Sequence, residues 1–294
     1  MATLISLKRS IKAAQNVSKT TRAMQMIAAS RLKRAQEATL SSRPYVQKLT
    51  ELTQKVSTKV SDKDKHPYMK LSITNPDSIG ANNKTLLIAL SPDKGLTGGL
   101  VTNLLREFMQ YMTQNNDSSY ILIGKKFESQ VVKMRSEVVA TFHFGTTLPT
   151  LDIVYPLISL INDYYLSGKV TSVKVLYTNF NNFFSQTPTV TQLLPIALPE
   201  ATETKILEDT MLYEPSLPEM MPQLLKHYLE MSLYQFILES FLSEQAARMI
   251  AMQNATNNAK DIIEAYKLEY NKTRQAKITN ELLDIIGGKG VAHA

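Results

Sequence analysis

From Gln223 to Ile286 the chain holds neither Gly nor Pro, a run of 64 residues that would measure about 95 Å as a single α-helix at 1.5 Å per residue. Globular helices usually span roughly 8 to 20 residues, so this segment reads as a coiled coil or helical shaft. Pro215, Pro218 and Pro222 mark its start, and Gly287 and Gly288 are expected to end it as C-capping residues. A second rod opens the chain. Between Met1 and His66 the only breaker is Pro44, and Leu4, Leu7, Ile11, Ala14, Thr21, Met24 and Ala28 recur at steps of three and four with a gap at Ser18. With a compact region between them, the rods should pair antiparallel. The later rod outruns the first as far as Pro44, so part of it must find a partner beyond that proline or project alone. Its seam (Ala246, Met249, Met252, Ala255, Ala259, Ile262, Tyr266) uses small or flexible residues that permit close backbone approach, and Gln253, Asn254, Asn257 and Asn258 suit hydrogen bonding to a surrounding surface.

The region between the rods alternates. Residues 61–83 are polar and read as a linker, after which Lys84 to Ser91, Tyr120 to Gly124, Val138 to Phe142 and Val170 to Phe180 have strand character, with Val190 to Leu194 as an edge strand. Helical patterns fall at Gly99 to Met112 and Thr150 to Leu166. The expected fold is therefore α/β: a long antiparallel coiled coil of N- and C-terminal helices with an inserted Rossmann-like α/β domain. Its divisions are a helix over 1–60, the linker 61–83, the insert 84–200, a connecting segment 201–222, and the closing helix and tail 223–294.

Charge is unevenly placed. The net charge is +7, yet residues 1–60 alone carry twelve Lys or Arg against Glu37 and Glu51. A segment of that density fits either a solvated helix face or an acidic partner: nucleic acid, an anionic membrane surface or an acidic protein surface. With no Cys there is no disulfide framework, thiolate zinc site or iron–sulfur cluster, and no apolar window approaches a membrane span. Ser91 to Leu100 holds Gly95, Gly98 and Gly99 between a strand and a helix, but the order is not G-x-G-x-x-G and no G-K-[S/T] follows, so a structural turn is expected there rather than a phosphate site. The four His are scattered without an i, i+4 pair, and Ser91 and Asp93 have no His close in sequence. No catalytic residue, cofactor or metal is expected.

Lys19 to Gln36 (KTTRAMQMIAASRLKRAQ) and Ser243 to Gly287 together resemble the gamma subunit of the F-type ATP synthase. Gly95 to Gly99 is similar to that family's GLCGG turn with Thr97 in the Cys place, and Leu212 to Glu230 resembles its YEP segment. The resemblance covers essentially the full length. It implies a rotor shaft: the paired helices stand inside a ring of alternating alpha and beta subunits, the α/β domain lies below beside the epsilon subunit and the c-ring, and rotation driven by proton flow is coupled to ATP synthesis or hydrolysis. The shaft itself is not an enzyme. The implied partners are the alpha and beta subunits, epsilon and the c-ring, with one copy per complex, no nucleic acid and no membrane span of its own.

By the same resemblance, Arg248, Arg274, Gln275, Thr279 and Glu281 are candidates to hydrogen-bond the ring's catch loops; Arg and Gln offer several donors to carboxylates and carbonyls. The alternative for these is an internal helix pair such as Lys277 with Glu281. Met24 matches a position near the ring's acidic levers, along which Arg31, Lys33 and Arg34 could slide, while Tyr213 and Glu214 are candidates for the foot that meets the c-ring or epsilon. The absence of Cys excludes thiol regulation, and the lack of a transit peptide points to a bacterial chain on the cytoplasmic face of the inner membrane, with the matrix side of an organelle inner membrane as the alternative. The competing functions are a basic coiled-coil nucleic-acid-binding or scaffold protein and a nucleotide-dependent enzyme housed in the insert. Against the first, Tyr45 is the lone aromatic in residues 1–60; against the second, the phosphate-loop Lys is missing.

Overall fold

A computed structural model describes residues 3–59, 66–69, 84–115, 117–131, 137–196, 214 and 216–290. The chain divides into two units, residues 29–247 and residues 1–28 with 248–294. Each contains a stretch of the first helix, α1 (Leu4–Lys59), and a stretch of the last, α5 (Leu217–Gly290).

In residues 29–247, five strands among the described residues form one sheet: β1 (Thr85–Leu90), β2 (Ser118–Ile123), β3 (Val138–Phe142), β4 (Ser172–Phe180) and β5 (Gln186–Leu194), in the order β3-β2-β1-β4-β5. The first four are parallel and β5 closes antiparallel on β4. Every residue of β1 and β2 is buried, which is why TLLIAL and SSYILI run apolar or small without alternation: parallel strands are covered on both faces. One face (Leu86, Ile88, Leu90, Ile121, Ile123, Val173, Val175) packs against α4 (Val154–Tyr165) and the start of α5. The opposite face (Leu87, Ala89, Tyr120, Leu122, Leu176) packs against α2 (Leu100–Gln114) and α3 (Lys125–Val131). Two elements exceed the sequence reading: the short α3, and β5, which begins at Gln186 rather than Val190 because the hairpin starts in polar, Thr-rich sequence. Pro156 lies in the first turn of α4, where a missing N–H costs nothing. Within the polar stretch after α1, residues 66–69 are described, and Tyr68 is a core residue whose carbonyl accepts from Ile196 N at 2.8 Å.

Pro44 does not end α1. The helix runs through it, and the covered positions keep three–four spacing on both sides: Leu32, Ala35, Thr39, Ser42, Val46, Leu49, Thr53, Val56. Such spacing is the seam of a coiled coil, and Pro44 is tolerated because it falls on the exposed side. Facing it, α5 carries Leu225, Leu229, Leu233, Ile237, Leu238, Phe241 and Leu242, all buried. The stretch has no single wet face: it lies between α1 and the sheet, where Ser243 Oγ donates to Thr178 O at 3.0 Å. Arg43 with Glu239 (3.2 Å) and Tyr45 with His227 (2.6 Å) link the two helices, whose numbering runs in opposite senses.

In the other unit, the covered positions include Leu4, Leu7, Ile11, Ala14, Ser18, Thr21, Gln25 and Ala28 on α1, and Met249, Met252, Ala255, Thr256, Ala259, Ile263, Tyr266 and Tyr270 on α5. Three expectations are corrected here. Ser18 fills the seam rather than interrupting it; Gln25 takes the place assigned to Met24; Ile263 takes that assigned to Ile262, and buried Thr256 stands beside Ala255, which is half-buried. For Thr256 the physical reason is a hydroxyl pair. Thr21 Oγ1 and Thr256 Oγ1 lie 2.7 Å apart, and both also reach helix carbonyls, Ser18 O at 3.1 Å and Met252 O at 2.7 Å. An apolarity reading skips a threonine that is satisfied in this way. A fourth expectation also fails: α5 continues through Gly287 and Gly288 to Gly290.

Candidate interaction surface

Displacing Met24 from the seam places it on the outer surface, 38% exposed, beside Met26 (58%) and Ile27 (54%). Arg31 is half-buried, and Lys33 and Arg34 are exposed, with Arg34 Nη2 donating to Ser30 Oγ at 3.4 Å. Lys33 and Arg34 therefore fall on the side of α1 away from Leu32 and Ala35, while Arg31, four residues before Ala35, flanks the covered side. On α5, Arg248 is half-buried, whereas every residue from Arg274 to Asp284 is exposed, including Gln275, Thr279 and Glu281. The internal helix pair is realised: Lys277 Nζ sits 3.6 Å from Glu281 Oε1, both well exposed, a geometry worth about 0.3–0.5 kcal/mol. Thr279 Oγ1 donates to Gln275 O at 3.0 Å, leaving the Gln275 side chain uninvolved in that bond. Ile278, Leu282 and Leu283 are 49–60% exposed on the same segment. Glu214 is exposed, and Tyr213 lies outside the described residues.

The carboxyl edge of the sheet, where an enzyme of this architecture would hold its ligand, is occupied by structural contacts. Asp93 accepts from Lys125 N (3.0 Å) and Gly145 N (2.6 Å), tying together the loops after β1, β2 and β3. Ser91 Oγ lies within hydrogen-bond distance of Ile123 O (3.0 Å) and accepts from Phe127 N (3.3 Å), so its proton is committed to the backbone. Gly124, at φ +97°, passes so close to Ser91 that a Cβ would stand 1.9 Å from the Ser91 carbonyl oxygen. Sequence reading missed one neighbour here: the His143 ring lies 3.7 Å from Asp93 and 3.5 Å from Glu128. Only the parallel alignment of strand ends brings residues 93, 128 and 143 together, and no local pattern signals it. The cleft beside them measures about 40 Å³, room for about one water rather than a nucleotide. In the glycine turn, Gly98 takes φ +58° and Thr97 is buried at 3% exposure.

Paired terminal helices with outward-facing polar and apolar side chains, and an α/β unit whose strand-end loops are tied by structural contacts, place the candidate surface on the helices rather than in a ligand cleft. A family model described as ATP synthase matches residues 3–290. The chain is 39% identical to the ATP synthase gamma chain of Dehalococcoides mccartyi, covering 98% of each, and 36% identical to that of Paraburkholderia phytofirmans, covering 98% of this chain and 99% of that one. The fold is shared with a chain in the structure of the Euglena gracilis mitochondrial ATP synthase described as OSCP, F1 and c-ring (TM-score 0.68, 18% identity, 99% of this chain and 94% of that one). A chain of the Tetrahymena thermophila central stalk and c-ring structure matches with a TM-score of 0.58 over 80% of this chain. The chain belongs to the ATP synthase gamma chain family, a non-catalytic central-stalk subunit. The nucleic-acid and scaffold alternative is not supported.

Proposed function

We propose that this chain is the central rotor shaft through which c-ring rotation, driven by proton flow, is coupled to ATP synthesis or hydrolysis in a ring of alpha and beta subunits. The observation that carries the reading is the family match over 98% of the chain, which includes the terminal helices where the shaft surface lies. Met24, Arg31, Lys33, Arg34, Arg248, Arg274, Gln275, Thr279 and Glu281 face the ring in this reading. Tyr213 and Glu214 meet the c-ring or epsilon, and one copy serves each complex. Among the described residues no helix is long and apolar enough to cross a membrane; in this reading the chain attaches peripherally, on the cytoplasmic face of a bacterial inner membrane, with the matrix side of an organelle inner membrane as the alternative. The test is purification of the tagged chain from its cells under mild detergent. Recovery of alpha, beta, epsilon and c subunits with ATPase activity is expected; recovery of the chain alone, or with nucleic acid, would refute it.

A further inference from the structure

Within residues 29–247, α1 is held tightly at two places and loosely between them. Its buried positions fall at Leu32, Ala35 and Thr39, and again at Leu49, Thr53 and Val56, three or four residues apart within each set. From Thr39 to Leu49 the interval is ten: none of residues 40–48 is buried. The seam passes through this gap on Ser42 and Val46, both only half-buried, while Leu40 and Tyr45 are 55% and 49% exposed.

The main chain is weakened over the same span. Pro44 has no N–H, so the Leu40 carbonyl lacks its donor four residues on. Just before it, three carbonyls also receive hydroxyl groups: Ala35 O accepts from Thr39 Oγ1 (2.8 Å), Ala38 O from Ser41 Oγ (2.9 Å) and Thr39 O from Ser42 Oγ (3.2 Å). Hydroxyls that bond back onto their own helix compete with its main-chain donors and slightly destabilise it. Thr50 and Thr53 bond back further along, but there no carbonyl has lost its main-chain donor, and Leu49 and Thr53 are buried. The contacts to α5 across the gap are polar and exchangeable. Ser42 Oγ reaches Gln235 Oε1 as well as Thr39 O, and its one proton serves one of them at a time. Glu239 Oε1 accepts from both Arg43 Nη2 (3.2 Å) and Gln235 Nε2 (3.1 Å). Such long side chains can follow a small backbone shift by changing rotamer, which a close-packed apolar seam cannot do.

We infer that residues 40–48 are a flexure built into α1: a short segment that opens and re-forms by itself, pinned to α5 through Gln235 and Glu239. The helix before it can shift while the segment after it stays seated, since Val56 belongs to the same core cluster as Leu86, Ile88 and Leu225. The flexure is a property of the chain alone and does not depend on the rotor reading, so the failure of either leaves the other standing. Its test is residue-resolved hydrogen exchange of the purified full chain in rising, sub-denaturing urea. Amides of 41–43 and 45–48 should show protection at least tenfold lower than those of 32–39 and 50–56, with little dependence on urea, because opening one helical segment exposes little surface. Pro44→Ala combined with Ser41→Ala restores a donor to the Leu40 carbonyl and relieves that of Ala38. Both positions are exposed, so the fold should survive the change. Protection over 41–48 should then rise at least fivefold while the flanks keep theirs. Protection over 41–48 equal to that of the flanks overturns the inference, as does uniformly weak protection across 32–56, which describes a loose helix without a joint. It also falls if the segment responds to urea as steeply as global unfolding does, or if the double variant leaves its exchange unchanged.

Discussion

Replacing Pro44 by Ala separates what α1 prefers from what its packing imposes. Pro44 has no N–H to give the Leu40 carbonyl, and its ring crowds that carbonyl; inside a helix this costs about 3 kcal/mol against Ala. Two effects reduce what the substitution recovers. Leu40 is 55% exposed, so water reaches its end of the broken bond, and Pro also restricts the unfolded chain, an advantage of about 0.4–1 kcal/mol that Ala gives up. The expected gain for Pro44→Ala is then about 1–2 kcal/mol. In a body of this size each kcal/mol moves the melting temperature about 2–4 °C, so calorimetry of the isolated chain should show a rise of about 2–8 °C. The contacts that flank the site, Arg43 with Glu239 and Tyr45 with His227, are outside the substitution and should persist. An unchanged or lowered melting temperature would refute the reasoning. It would mean that the backbone geometry Pro44 sets is required for Leu49, Thr53 and Val56 to stay buried, and that losing it costs more than the restored bond returns.

Burial pushes the Tyr165 phenol up to about 12 from its ordinary value of 10, so the neutral form is favoured in the fold. The corresponding stability is complete below pH 10 and lost between pH 10 and 12; Tyr165→Phe should therefore lose about 2 kcal/mol less than the parent between urea titrations at pH 9 and pH 12. Equal losses would remove Tyr165 as the cause. Arg274→Leu with Gln275→Leu should lower ATP turnover of the assembled ring without altering helix content, by about 1.5–3 kcal/mol for each charged hydrogen bond removed; unchanged turnover in a fully assembled complex sinks the catch-loop assignment. Arg31→Ala, Lys33→Ala and Arg34→Ala together should keep more than about half of the single-molecule stall torque, since exposed pairs contribute about 0–1 kcal/mol each, and any deficit should shrink with added salt.

The long elements were readable because breakers are absent over tens of residues and because parallel strands are buried on both faces, which leaves TLLIAL and VKVLY plainly apolar. What escaped was set by partners distant in sequence. Thr256 enters the seam because Thr21 and its own helix carbonyl meet its hydroxyl, so a polar residue occupies an apolar position. Pro44 is disfavoured by intrinsic preference, yet the helix expected over 1–60 runs through it, carried by the packing of Leu49 and Val56. His143 sits beside Asp93 only through strand alignment. The candidate contact residues rest on resemblance alone: Arg274 and Gln275 have no geometric signature in the chain itself beyond being exposed on a helix.

Exposure bears on how such a shaft transmits force. In the terminal unit Ile5, Val17, Met26, Ile27, Leu268, Ile278, Leu282 and Leu283 are 49–72% exposed, and they lie outside the seam. Single surface hydrophobics are ordinary, but eight of comparable size on one helix pair fit the ring-facing surface proposed above. Against that area the basic positions are a minor attraction, because each exposed pair is worth at most about 1 kcal/mol and is screened within about 10 Å at 0.1 M salt. Apolar contact is close-packed and resists displacement through repulsion, which salt does not screen. In the proposed rotor reading the shaft pushes on its surroundings by shape, and exposed charges such as Lys33 and Arg34 add only a weak, screened attraction. Torque should therefore be more sensitive to the bulk of Met26, Ile27 and Leu282 than to the charge of the residues between them.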